Sequence, residues 1–330
     1  RMTSTSVDDD NRLLAFENLS AIRGGAHDDI FQVMTASPLL PLDGGDSVTA
    51  DLVDYSQVNG NLSINLTEAL SGQNGAITGV EGIRGNNAGP NSLHQAELVG
   101  PDSGAVWTIG GLSNNALADN INDGSVTFGE QTVTFIDFNL LTGGAGTDIF
   151  NQMNGIVLGA LSGGAGNDTF NIDLVGANAG TTIIGGAGVD SLTLRGGDAD
   201  GLMTYTAAAD GGKFDYSSAG VHYTLSHQGV ENVRDNSLAT SLDIGGSSAA
   251  ETFTLANNRF WINGGDVIEY SNKRDIAVHS GINDIIEIAD NLVVEDTLTL
   301  ANGTVIANDP ANNSITADTL ILDSVRDVGL

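Results

Sequence analysis

Cysteine is absent from the 330 residues, so no disulfide staples the chain. That suits bacterial secretion and equally suits many cytosolic proteins. Proline occurs only 5 times and aromatic residues make up 5%, whereas glycine occurs 44 times. Frequent glycine with few aromatics fits a repeat of turns and short strands better than a globular core. Basic residues are scarce: 11 Lys and Arg stand against 42 Asp and Glu, for a formal charge of −31. This argues against nucleic acid and anionic membrane surfaces, which require basic patches. It favours divalent cations and predicts self-repulsion when they are removed; solubility or a salt-rich habitat is the other account. No apolar run reaches membrane-spanning length, and no signal peptide is visible. Arg1-Met2 and the polar run after it read as the cut edge of a longer chain.

What the chain does have is concentrated in residues 141–194. One phrase occurs there three times: GGAGTDIF at 143–150, GGAGNDTF at 163–170 and GGAGVDSL at 185–192. Paired glycines permit positive φ and a tight turn with no Cβ in the way. Such a turn aims carbonyl oxygens inward, and the Asp adds a hard, charged oxygen before a short strand begins. All-oxygen ligation at about 2.3–2.6 Å is what Ca²⁺ prefers. Asp148 and Asp168 are 20 residues apart, and Asp168 and Asp190 are 22 apart. If a coil takes 20–22 residues, the turns stack about 4.8 Å apart. A cation between two turns would then draw an Asp from each; bare glycine turns without metal are the alternative.

The phrase closely resembles the glycine-rich repeat of the haemolysin-type (repeats-in-toxin) calcium-binding family, which forms parallel β-rolls. The resemblance implies Ca²⁺ between stacked turns. Its ligand turns would be Gly143, Gly144, Gly146 and Asp148, then Gly163, Gly164, Gly166 and Asp168, then Gly185, Gly186, Gly188 and Asp190. The family's copies recur every nine residues and these recur once per coil, which implies one calcium column instead of two.

The rest of the chain carries weaker echoes. GGAHDDIF at 24–31 puts His27 where the third glycine belongs, with Asp28 and Asp29 as metal ligands or parts of a plain turn. Glu251 replaces the Asp in GGSSAAETFTL. Asp266, Asp275 and Asp284 are nine apart, with Asp266 and Asp284 expected to share a column. Asp54-Tyr55-Ser56 and Val80-Glu81-Gly82-Ile83-Arg84 recur as Asp215-Tyr216-Ser217 and Val230-Glu231-Asn232-Val233-Arg234, a long internal repeat resembling segments of large secreted adhesins. Residues 1–15 read as irregular, and 85–104 read as a loop. EDTLTL at 295–300 and ADTLIL at 317–322 restore the 22-residue period, resemble coils of filamentous-haemagglutinin-type β-helices, and stop without a cap.

The expected fold is therefore all-β, a parallel β-solenoid with about 20–22 residues per coil, running as one elongated fragment over 1–330. Residues 1–140 would be a first repeat unit, 141–194 the calcium coils, and 195–330 a second unit. A two-sheet sandwich is the alternative. The expected function is a calcium-stabilised structural or adhesive segment of a large secreted or cell-surface bacterial adhesin. Its partners would be neighbouring coils of the parent protein, carbohydrate or a surface protein, with no nucleic acid and no membrane insertion. A polysaccharide-degrading β-helix enzyme and a calcium-dependent secretion carrier are the alternatives. Only two lysines, Lys213 and Lys273, are available as bases. His27, His94, His222, His227 and His279 form no metal-ligand pattern. Trp107 and Trp261 are either sugar-stacking or packing residues.

Overall fold

Alternation of apolar and polar residues decides the strands. Thr169-Phe170-Asn171-Ile172-Asp173 buries Phe170 and Ile172 and turns its polar residues outward, and Ser191–Arg195 does the same with Leu192 and Leu194. The computed structural model describes residues 3–4, 14–15, 20–34, 41–45, 51–66, 77–86, 94–110, 121–153, 157–174 and 179–329. Of the stretch read as irregular, 1–15, only 3–4 and 14–15 are described; of the loop read over 85–104, only 87–93 lies outside the described residues. Within the second stretch Ala96–Val99 is a strand, with Ala96 and Leu98 buried.

The fold is all-β, but a simple parallel solenoid is overturned. Its strands form two large sheets of 12 and 16 strands in which parallel ladders alternate with antiparallel hairpins. Contacts divide the chain into two units, Arg1–Asp168 and Thr169–Leu330, and the division falls inside the glycine-rich stretch.

In the first unit, Leu62–Asn65, Ala96–Val99, Leu140–Thr142 and Ala160–Ala165 form one parallel ladder. A second ladder runs Ile30–Gln32, Leu52–Asp54, Gly82–Arg84 and Gln131–Ile136 in parallel. It then continues antiparallel through Gly124–Phe128 to Val106–Ile109, which pairs in parallel with Ile149–Gln152. Trp107 sits in this core with no exposed surface, stacked on Phe150 at 5.4 Å and tilted against Phe135 at 6.1 Å. It is a packing residue.

The second unit repeats the device. Thr169–Asp173, Ser191–Arg195, Asn232–Asp235 and Val267–Tyr270 are parallel. Arg259–Ile262 and Thr252–Ala256 then add two antiparallel pairings. On the other sheet, Leu202–Ala208, Gly211–Ser218 and Val221–Gln228 form an antiparallel meander. Val221–Gln228 also pairs in parallel with Ala179–Ala187, and Leu202–Ala208 with Ser241–Gly245.

The hairpins are why no single coil length holds. Leu141 lies opposite Leu161, Phe170 opposite Leu192, and Ile276 opposite Leu298, so a spacing of 20–22 is real locally. Trp107, however, lies opposite Phe150, and Leu192 opposite Val233, because a hairpin or meander has been inserted between partners. Two-residue turns close several of these hairpins. Ala219-Gly220 joins Ser218 to Val221 with φ of 44° and 87°, the left-handed pair of a type I′ hairpin turn. The Thr319–Asp323 strand pairs with Thr297–Ala301. Its Leu320 and Leu322 continue the buried Leu298 and Leu300 rows but stay about 40% exposed.

Candidate functional site

The glycine phrases form turns as expected, but their carboxylates face inward. Asp148 has no exposed surface. Its Oδ1 accepts hydrogen bonds from the Ala105 amide at 2.8 Å and the Trp107 indole at 3.3 Å, and its Oδ2 accepts from the Gly144 amide at 3.0 Å. Its own amide donates to Asp168 Oδ1 at 2.8 Å. Burial lifts the Asp148 carboxyl above the usual carboxylate range, while the three donors pull it back down.

Related arrangements recur at several other turns. Asp29 Oδ2 accepts the Gly25 amide at 2.6 Å, and the Asp29 amide donates to Asp51 Oδ1 at 2.8 Å. The Asp51 amide donates to Glu81 at 2.9 Å. In the second unit the Asp190 amide donates to Glu231 at 2.7 Å. Glu251 accepts the Ser247 amide at 2.7 Å, and its amide donates to Asp284 at 3.0 Å. Asp284 also accepts the Gly281 amide. Asp29, Asp148, Glu251 and Asp284 thus cap their own turns, whereas Asp51, Glu81 and Glu231 accept an amide from the neighbouring strand layer. An ionised carboxylate is the strongest acceptor available for a buried N–H.

This ladder absorbs residues that the glycine phrase does not mark. Glu81 and Glu231 occupy equivalent places in the two Val-Glu-x-Ile/Val-Arg strings, which explains that part of the internal repeat. The Asp-Tyr-Ser part is not equivalent. Asp54 ends a strand in a parallel ladder, whereas Asp215 lies in the antiparallel meander; only the burial of Tyr55 and Tyr216 is shared. Asp266 and Asp284 share no column: Asp284 accepts the Glu251 backbone amide, whereas Asp266 lies beside Glu231 and Asp210, with burial raising its carboxyl first. Asp275 instead accepts the Thr297 amide at 3.2 Å. Asp28 and His27 are exposed.

The glycines are required by close approach. A Cβ on Gly143 would run into the Gly163 carbonyl oxygen, and one on Gly185 into the Gly229 carbonyl oxygen. Gly164 and Gly166 have φ of 96° and 121°, and Gly186 and Gly188 have 109° and 144°. Gly144 and Gly146 lack positive φ but lie against the backbone at Pro101 and at Asp102–Gly104. Gly164→Ala combines left-handed strain with a clash against the Gly144 carbonyl oxygen. It is expected to cost about 3 kcal/mol or more. Gly180→Ala, with open space around it, should stay within about 0.5 kcal/mol. Denaturant unfolding of both variants checks the contrast.

The donor set at Asp148 does not fit Ca²⁺ held between turns. Its two oxygens already face three N–H donors, and Gly144 O accepts the Ala165 amide at 2.9 Å. Among the described residues, no three His, Asp or Glu side chains converge as a metal centre would need.

A second polar cluster escaped the sequence reading. The Lys273 side chain is fully buried against Asp235 at 3.1 Å, the Ser237 hydroxyl at 3.3 Å and the Ser271 carbonyl at 3.0 Å. Burial pulls the Lys273 ammonium below its ordinary range, and Asp235 opposes that shift. Serine, lysine and aspartate in contact resemble catalytic machinery, but this group is sealed from substrate. Among the described residues, no helix is long and apolar enough to cross a membrane. Set against known proteins, the chain matches no family model, no curated protein and no solved structure.

Proposed function

We propose that the chain is a structural and adhesive segment of a large secreted or cell-surface bacterial protein. The observation that supports this reading is how its buried carboxylates are used. Asp148, Glu251 and Asp284 are spent on backbone amides, fastening one turn to the next. A catalytic pair of carboxylates must instead face a cleft and hold a proton or a nucleophile ready. In this segment fixed carboxylates do internally what bridging cations do in haemolysin-type repeats. The exposed acidic surface then supplies solubility and repulsion of like surfaces.

The test is a pair of melting curves at matched ionic strength, one with millimolar calcium and one with chelator. Turns that are already self-sufficient predict midpoints within about 2 °C of each other. Binding at even one native site at 100-fold saturation adds about 2.7 kcal/mol and would separate the curves clearly. Such a separation would overturn the self-sufficient turn and return Ca²⁺ to the glycine phrases.

A further inference from the structure

Buried histidines normally have a hydrogen-bond partner on at least one ring nitrogen. His227 is 3% exposed, and neither Nδ1 nor Nε2 has one. Its ring lies 5.8 Å from Phe214 and 6.2 Å from Tyr205, and Tyr205 meets Phe260 edge-on at 5.2 Å. The imidazole therefore closes an aromatic cluster beneath the meander of Leu202–Ala208, Gly211–Ser218 and Val221–Gln228. A ring in such a place is stable only while neutral, because nothing there would solvate a second N–H.

We propose that His227 is an acid-operated latch on this meander: neutral, it packs and holds the three strands; protonated, it leaves the aromatic cluster and the strands loosen.

The surroundings support the assignment from every side. On its own strand, His222 alternates to the opposite, exposed face. On Gly211–Ser218, Lys213 and Asp215 pair with each other at 2.8 Å and lie opposite Ser226 and Thr224, which alternate with His227. Leu202–Ala208 offers only the Tyr205 hydroxyl, which donates to the Gly211 carbonyl at 3.3 Å. Ala179–Ala187, which places Ile183 opposite His227, contains no ionisable side chain. From the hairpin beyond, Phe260 faces Tyr205; burial first, and then the charge of Asp266, raises the Tyr205 hydroxyl. Asp210 is the one acid whose field favours the imidazolium, and burial outweighs it, bringing His227 from 6.5 down to about 4.

The direction follows from where protons bind. Between pH 6.5 and about 4 the unfolded chain carries a proton on this histidine and the folded chain does not. Stability from the neutral ring is therefore complete above pH 6.5 and is lost as pH falls toward 4. At pH 4.5 the folding equilibrium should be about 100-fold less favourable through this group alone. Asp266, in the same unit, is shifted upward, so its protonation favours the fold and works in the opposite direction at the acid end.

Hydrogen exchange on the full chain at pH 7 and pH 4.5, corrected for intrinsic rates, tests the latch without any substitution. The expected result is selective loss of protection across 202–228, with Asp275–His279 and Thr297–Ala301 retaining theirs. His227→Phe, which keeps an aromatic ring in the cluster, should flatten the pH dependence of that protection. Unchanged protection of 202–228 at pH 4.5 overturns the proposal. So does an equal loss in the wild type and in His227→Phe.

Discussion

Replacing Asp148 by alanine is expected to destabilise the first unit by about 3–5 kcal/mol. One side chain accepts three hydrogen bonds, from Ala105, Trp107 and Gly144, and no water reaches it. Each buried donor left without an acceptor costs about 1–3 kcal/mol. Asp148→Asn should cost less, because one carbonyl oxygen remains, though its amide hydrogens then face N–H donors. Denaturant unfolding should show a lowered midpoint with an unchanged slope. Trp107 provides a local readout, since its indole donates to the lost carboxylate; its emission should change in Asp148→Ala before unfolding begins. A cost below about 1 kcal/mol would mean the carboxylate ladder is incidental to the fold.

That expectation rests on a role different from the one the glycine phrase suggests. The sequence marks where the turns are, since Gly164, Gly166, Gly186 and Gly188 all adopt the positive φ that only glycine takes easily. It also marks which Asp residues matter, because Asp148, Asp168 and Asp190 are all buried. It does not tell a carboxylate that accepts amides from one that binds metal. Both need a charged oxygen at the same place in a tight turn, and only the direction of the N–H groups separates them. Glu81 and Glu231 show the same limit. Their extra methylene lets them reach the Asp51 and Asp190 amides from a strand without a glycine phrase, and no local pattern announces that.

The fold was legible in its strands and obscured in its connections. Period-two alternation marks the buried rows, and the 22-residue spacing between EDTLTL and ADTLIL does pair true neighbours, Leu298 with Leu320. A strand reversed in direction keeps the same alternation, so the meander over 202–228 reads like further coils. Its turn gives little away: Ala219-Gly220 puts an alanine at positive φ where Asn or Gly is the usual signal. Asn257-Asn258 between Ala256 and Arg259, by contrast, does carry the usual Asn, with Asn258 at φ of 59°. His227 was invisible for another reason. Val221-His222-Tyr223-Thr224-Leu225-Ser226-His227 alternates regularly, yet His222 faces solvent and His227 the core, and parity alone assigns neither nitrogen a partner.

Lys273→Met should be the most damaging single change in the second unit, at about 3–5 kcal/mol. The reason is the partner it abandons. Asp235 is fully buried, and its Oδ1 already accepts the Ser237 amide at 3.0 Å, so the remaining negative charge would have no cation within reach. The ion pair itself is a poor source of stability, because burial already disfavours the Lys273 charge. Lys273→Met combined with Asp235→Asn removes both charges while leaving an oxygen for the Ser237 amide. That double variant should recover to within about 1–2 kcal/mol of the wild type, although one of its parents is severely destabilised. Recovery would identify the pair as a device that fixes the Ser271–Lys273 turn against the end of the Asn232–Asp235 strand rather than one that strengthens it. If the double variant is instead as unstable as Lys273→Met alone, the loss comes from packing of the lysine stem, and the charge pairing is secondary.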